Sequence, residues 1–330
     1  MLSDFIFVLN GVTPIFIVII IGYLLKYKKF LTDEFVRVAD KLVFKLLLPV
    51  YLFNNVSSMK KDDFHFGDIT VGLYGMAAVL VIAFGTLVVS GFFIKDSGSK
   101  GAFTQGVYRS NTAILGIPFA ANLFGDEGAR ITAILIAFVV PLYNVVAVII
   151  LSMCDPLKNE NGTKLSKKLG SVAIDIAKNP LIIAILLGLV VCFTGVDFPV
   201  IVDKTVTYLA NCSTPLALIA IGANFSFGDM KGRAGLAVVA SVLKTVFVPL
   251  IVVGGGILLG FKGAQLGALF VIFGTPAAVS SYIMAKNMNN DYKLASQILI
   301  FTTLISAFTI AIGSFLLFSS GLVLRLNAAV

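Results

Sequence analysis

The chain has 330 residues, 58% of them hydrophobic and 13% charged, and carries a net charge of +8; its mean hydropathy is +1.00. A soluble domain has about 25% charged and roughly 45–50% apolar residues, so this chain lacks the polar surface to cover a water-facing globule. Its basic residues sit in short loops between apolar runs, the arrangement by which membrane proteins set their orientation, and this excludes a nucleic-acid binder.

Runs long enough to cross about 30 Å of hydrocarbon recur at 5–25, 36–58, 68–94, 102–123, 129–153, 172–196, 203–226, 233–260, 264–286 and 292–319. The expected fold is an all-α membrane protein of ten transmembrane helices. The first run is too long for the apolar core of a secretory signal, and its basic flank, Lys26 to Lys29, follows it instead of preceding it. The second carries Lys45 four residues ahead of Pro49, and the second, fourth and ninth all contain polar residues. The stretch from Asp155 to Lys168 reads as a solvated loop.

Lys and Arg divide unevenly between the two sets of loops: 15 fall in the odd-numbered loops and six in the others and the tail. The positive-inside rule then puts both termini outside and the 154–171 loop in the cytoplasm, for a multi-pass protein of the plasma membrane.

The chain also repeats itself. PIFIVIIIG (14–22) matches PLIIAILLG (180–188), Pro49 meets Pro215, and Ala129 meets Ala295, all at an offset of 166. Proline is rare enough that two proline matches at one offset, one with a glycine match beside it, mark an internal repeat. Residues 1–153 and 172–330 then form two halves of five crossings each. An odd number of crossings inserts the second half upside down, an organisation that recurs in secondary transporters, with substrate near the midplane where helices are broken.

At the same offset Ser110-Asn111-Thr112 falls on Pro276-Ala277-Ala278, mid-span in helices 4 and 9. Both neighbourhoods, Arg109 to Pro118 and Gly274 to Ser281, mix Gly, Pro and small polar residues in apolar surroundings. Proline removes an N–H and clashes with the preceding turn, so breaks are expected around Ser110, Pro118, Gly274 and Pro276. Unwound backbone is tolerated at depth only inside protein or along a cavity, and exposed half-helix N-termini attract anions. A packing kink alone would account for either helix; two at equivalent positions point to a site. Arg109 or Lys45 would supply positive charge to it, with a snorkelling or capping role as the alternative for Arg109. Lys45 and Lys244, the latter in helix 8, could each meet a carboxylate or substitute for a cation, and Lys244 could equally snorkel to an interface. Asn111, Thr112, Asn144 and Thr275 would supply hydrogen bonds, and Pro276 and Ala277 the broken backbone.

No Asp or Glu lies deep in a span except Asp40, near the start of helix 2, and the single His65 is in an outer loop. A proton relay of buried acids is therefore poorly supported. The scattered Cys154, Cys192 and Cys212 form neither a disulfide framework nor a metal centre. No cofactor is expected; a coupling ion, Na+ or H+, is left open.

NTAILGIPFAANLFGDEGA (111–129) resembles the fourth helix of the auxin efflux carrier family, which includes plant PIN carriers and bacterial malate/malonate permeases. SYIMAKNMNNDYKLASQILIF (281–301) resembles the end of its ninth helix and the start of its tenth. LVFKLLLPVYLF (42–53) and TPLALIAIGANFS (214–226) resemble helices 2 and 7. The resemblance implies an elevator-type fold: helices 1, 2, 6 and 7 as scaffold and homodimer contact, helices 3–5 and 8–10 as the moving transport domain. It implies that helices 4 and 9 cross at their breaks and hold an organic anion, with Asn111 at the crossover Asn and Pro276 at the ninth-helix crossover Pro. Plant carriers have Pro where this chain has Ser110, and their long cytoplasmic loop is short here.

The expected function is transport of a small organic carboxylate, malate- or malonate-like or auxin-like, by alternating access. The rivals are a sodium-coupled symporter of the related bile-acid-carrier architecture and a membrane ligand sensor without flux. An enzyme is disfavoured, since no His/Cys/Asp cluster or Ser–His pair lies in the spans.

Overall fold

A computed structural model of the chain describes residues 2–58, 66–159, 178–224 and 233–323. The described residues are helical throughout, apart from short connections and one isolated two-residue bridge. Helix α1 spans Leu2–Tyr27. The second crossing runs as α2 (Asp33–Leu42), a π-turn π1 (Val43–Leu47) and α3 (Leu48–Ser57). Next come α4 (Phe66–Ser90), α5 (Ser97–Tyr108), the long α6 (Thr112–Met153) and a single turn, α7 (Pro156–Asn159). After the gap follow α8 (Pro180–Thr194), α9 (Val200–Asn224), then α10 (Ala234–Val242), π2 (Leu243–Phe247) and α11 (Val248–Leu258) as one rod. The chain closes with α12 (Ala264–Gly274), α13 (Val279–Asn287) and α14 (Tyr292–Ser319). His65 and most of the expected 154–171 loop lie outside the described residues, as do the first residues of the expected span 172–196.

Among the described residues, five helices are long and apolar enough to cross a membrane: Ile69–Ser90, Glu127–Met153, Val200–Asn224, Ala234–Leu258 and Tyr292–Ser319. Their outward faces are apolar too. Val81 is 72% exposed, Ile251 64% and Leu258 89%, a surface that water would penalise and lipid would not.

Both π-turns have a common cause. Each ends two residues ahead of a proline, Pro49 or Pro249. That proline has no N–H for the carbonyl four residues back, and its ring crowds the same carbonyl, so a widened turn relieves both faults. α6 is interrupted once, at Gly125 (φ 71°, ψ −166°), which turns the helix back on itself between 112–124 and 126–153. A side chain is strained at that φ.

α1 packs along α9 and α3 along α8, while α4 packs on α5 and α6, and α14 on α5, α12 and α13. The α1–α9 crossing is close enough that a Cβ on Gly22 would overlap the Ile219 carbonyl, and one on Gly222 the Ile19 carbonyl. Gly188 of α8 meets α3 in the same manner, with a Cβ placed 3.1 Å from the Phe53 carbonyl oxygen. One hydrophobic cluster is drawn solely from residues between 71 and 154 and between 236 and 301, that is, from α4–α6 and α10–α14. A second joins these elements to α1, α3, α8 and α9.

The Gly222 contact carries a prediction. Gly222→Val must push α1 and α9 apart, and overpacking of this kind costs about 1–3 kcal/mol. The purified variant should melt several degrees lower than the parent, whereas Gly235→Ala, where a Cβ meets open space, should melt normally.

Candidate functional site

Two helices stop in mid-molecule and restart. α5 ends at Tyr108, Arg109 is extended (φ −89°, ψ 126°), and α6 begins at Thr112. α12 ends at Gly274, Thr275 and Ala278 are extended, and α13 begins at Val279. The two breaks lie side by side as an antiparallel bridge between Ser110 and Ala277. Within it the Asn111 N–H donates to the Pro276 carbonyl at 2.8 Å. The Ala277 N–H is satisfied from α14, donating to Thr302 Oγ1 at 3.1 Å. Freed backbone groups are thus paired inside protein, as depth in hydrocarbon demands.

The first break falls at 109–111, and the backbone runs on as helix through the expected break point Pro118. Pro118 comes six residues after the helix start, where one missing N–H interrupts the ladder without ending it.

Both half-helices begin without a side-chain cap. Their first residues, Asn111 and Thr112 on one side and Ala278, Val279 and Ser280 on the other, line a narrow cavity with about 50 Å³ of room for the centres of water-sized molecules. Arg109, Tyr143 and Asn144 also line it, as do Val43, Tyr51 and Thr214. Asn111 Nδ2 and Thr112 Oγ1 are buried and have no hydrogen-bond partner among the described residues. Such groups are costly unless a ligand or water meets them.

Two cations are buried here. Arg109 is 3% exposed and Lys244 is fully buried. The Arg109 guanidinium donates from Nη2 to Asn144 Oδ1 at 2.5 Å, and Asn144 donates in turn to the Val140 carbonyl at 2.8 Å. With the Gln105 amide oxygen turned toward it, Arg109 Nη1 donates to Gln105 at 2.9 Å. Lys244 Nζ donates to Ser110 Oγ and, at 2.9 Å, to the Phe273 carbonyl. None of the ion pairs Lys26–Asp33, Arg37–Glu34, Arg233–Asp291 and Lys286–Asp40 involves Arg109 or Lys244. Arg109 and the uncapped starts of two half-helices face one cavity, an arrangement that favours an anion.

The structure brings together Arg109, Ser110, Asn111, Thr112 and Asn144 around the cavity. Gly274, Thr275, Pro276 and Ala277 build the second break without lining the cavity, and Thr275 Oγ1 is turned to the Ile272 carbonyl at 3.2 Å. Lys45 is exposed in π1 and does not line it. Lys244 joins the crossover from π2, buried, where an interfacial position was one expectation. Tyr51, Tyr143 and Thr214 were not expected; their spacing along apolar spans carries no signal that separates them from core.

A family model described as membrane transport protein matches residues 7–313. The chain belongs to this family, which includes the auxin efflux carriers. Within it, the chain is 24% identical over 318 residues to an uncharacterised transporter of Methanocaldococcus jannaschii, covering 94% of this chain and 98% of that one. It is 23% identical over 320 residues to a Rhizobium meliloti protein provisionally named a malonate transporter, covering 94% and 95%. It is 20% identical over 335 residues to auxin efflux carrier component 5 of Arabidopsis thaliana, covering 91% and 93%. The chain is therefore a multi-pass membrane transporter and not an enzyme.

In this transporter Asn144 holds Arg109 without neutralising it. Asn144→Asp would give the guanidinium a built-in carboxylate. The variant should melt at or above the parent temperature while its affinity for anionic ligands falls by about tenfold or more. Thermal melting with and without added anions reads both effects.

Proposed function

We propose that this chain carries a small organic carboxylate across the plasma membrane by an elevator form of alternating access. The observation that carries the reading is the pair of buried cations, Arg109 and Lys244, at the crossover with no carboxylate partner among the described residues. A carboxylate entering the cavity meets the Arg109 guanidinium, the unpartnered Asn111 amide and Thr112 hydroxyl, and the first turns of two half-helices. The cavity is narrow, which favours an aliphatic anion of malonate or malate size over a bulky aromatic one. The relative named for malonate points the same way.

The elevator reading has its own supports. The offset of 166 found in the sequence relates two close helix crossings: Gly22 lies against Ile219, and Gly188 against Phe53, 166 residues from each in turn. This is what two inverted halves, 1–153 and 172–330, would produce, with ten crossings in all. The cluster confined to α4–α6 and α10–α14 has the composition of a body that moves as a unit. Polar ties join it to the remaining helices. One is the buried pair of Asp40 on α2 with Lys286 on α13, steadied by Asn224 and Tyr282; sliding would exchange it for another contact. The exposed apolar faces of α8 and α9, with Phe193 63% and Ile201 81% exposed, suit a homodimer contact within the bilayer. Termini outside and the 154–171 loop in the cytoplasm follow from the basic loops.

The test is uptake and counterflow in proteoliposomes with malate, malonate, succinate, lactate, citrate and indole-3-acetate, with and without sodium or a proton gradient. A saturable signal from a small carboxylate is expected, reduced at least about tenfold in Asn111→Ala, which should melt normally. Silence across the panel in both assays, or full transport by Asn111→Ala, would remove the carboxylate or Asn111 from the site.

A further inference from the structure

Lys244 does not line the cavity, yet it is the most deeply buried charge in the crossover. It comes from π2, the widened turn ahead of Pro249, on a rod that packs against both α5 and α12. Its ammonium joins two groups from different broken helices. One is Ser110 Oγ in the first break. The other is the Phe273 carbonyl, in the last turn of α12, at 2.9 Å. The Ser110 hydroxyl also accepts a hydrogen bond from the Tyr143 hydroxyl at 3.4 Å, so its lone pairs are turned to donors and cations.

A hydroxyl oxygen and a carbonyl at a half-helix C-terminus are the oxygen ligands with which broken-helix carriers hold a monovalent coupling cation. The C-terminal end of α12 carries partial negative charge and unpaired carbonyls, which a cation stabilises. Here that cation is covalently attached.

We propose that Lys244 is a positioning residue, a tethered ammonium that stands in the crossover where a monovalent coupling cation would otherwise bind, so that anion binding and translocation need no metal ion. This rests on reading the crossover as the substrate site. The charge count follows from it. Arg109 and Lys244 together balance a dianion, so the loaded site is neutral and the empty one carries two positive charges. The ammonium also holds Ser110 against the end of α12, and with it the register in which Asn111 and Thr112 face the cavity.

The test uses full-length protein, in proteoliposomes for malonate counterflow and in detergent for thermal melting. Wild-type counterflow should be equal in sodium and in choline. Lys244→Met, close in shape and uncharged, should lose about tenfold or more of the rate, while Lys244→Arg keeps a substantial share. Lys244→Ala should regain rate when ethylammonium or sodium is supplied, and its melting temperature should rise with the same cations while the wild type's does not. A purely structural lysine would show no such cation response. The melting arm needs no substrate, so absent malonate counterflow in the wild type counts against the carboxylate reading and leaves Lys244 to be judged on melting. Wild-type transport by Lys244→Met, sodium-dependent counterflow in the wild type, or melting of Lys244→Ala that ignores both cations would overturn the proposal.

Discussion

Inside hydrocarbon a backbone N–H or C=O has no water to fall back on, and two helices of this protein stop there. What makes this possible is that they stop beside each other. The bridge from Ser110 to Ala277, with the Asn111 N–H on the Pro276 carbonyl, lets each break satisfy part of the other. Thr302 of α14 and Lys244 of π2 satisfy more. The rods around the crossover act as its frame, and their apolar outer faces anchor that frame in lipid.

The same constraint generates the site. Breaking two helices leaves two N-termini and two C-termini in the middle of the protein. The C-terminal end of α12 is met by a lysine. The N-terminal ends of α6 and α13 are left without side-chain caps and face a cavity. Arg109 adds a full charge to that side, held by the neutral Asn144. Charge left uncompensated at depth is costly to keep unless a ligand uses it. Arg109 and the two uncapped helix starts are the features of this cavity on which the proposed anion substrate rests.

Much of this was legible beforehand, for identifiable reasons. Hydrophobic runs give away spans because lipid tolerates little else, and the extents of α4, α9 and α14 follow the expected segments closely. Gly22 and Gly188, the glycine pair matched at one offset, each sit at a helix crossing too close for a Cβ. Arg109, Asn111 and Asn144 stood out as polar residues in apolar surroundings and do line the cavity. Other features left no such trace. The position of the first break depends on a partner strand 167 residues away, Ser110 to Ala277, so Pro118 was a misleading marker. Lys45 and Lys244 look alike in sequence, each a few residues ahead of a proline. Only the direction in which each π-turn faces makes one exposed and the other buried. The pairing of Asp40 with Lys286 joins the start of the second expected span to the last residue of the ninth, which no local pattern in the sequence links.

The central claim is that uncompensated charge at the crossover selects an anion. The most direct test is equilibrium binding of radiolabelled malonate to the purified protein, in competition with unlabelled malonate and with malonamide, its neutral isostere. The account predicts saturable binding that unlabelled malonate displaces and malonamide leaves in place. Displacement by malonamide as effective as by malonate would contradict it, because shape and hydrogen bonding would then suffice and the two buried cations would have some other purpose.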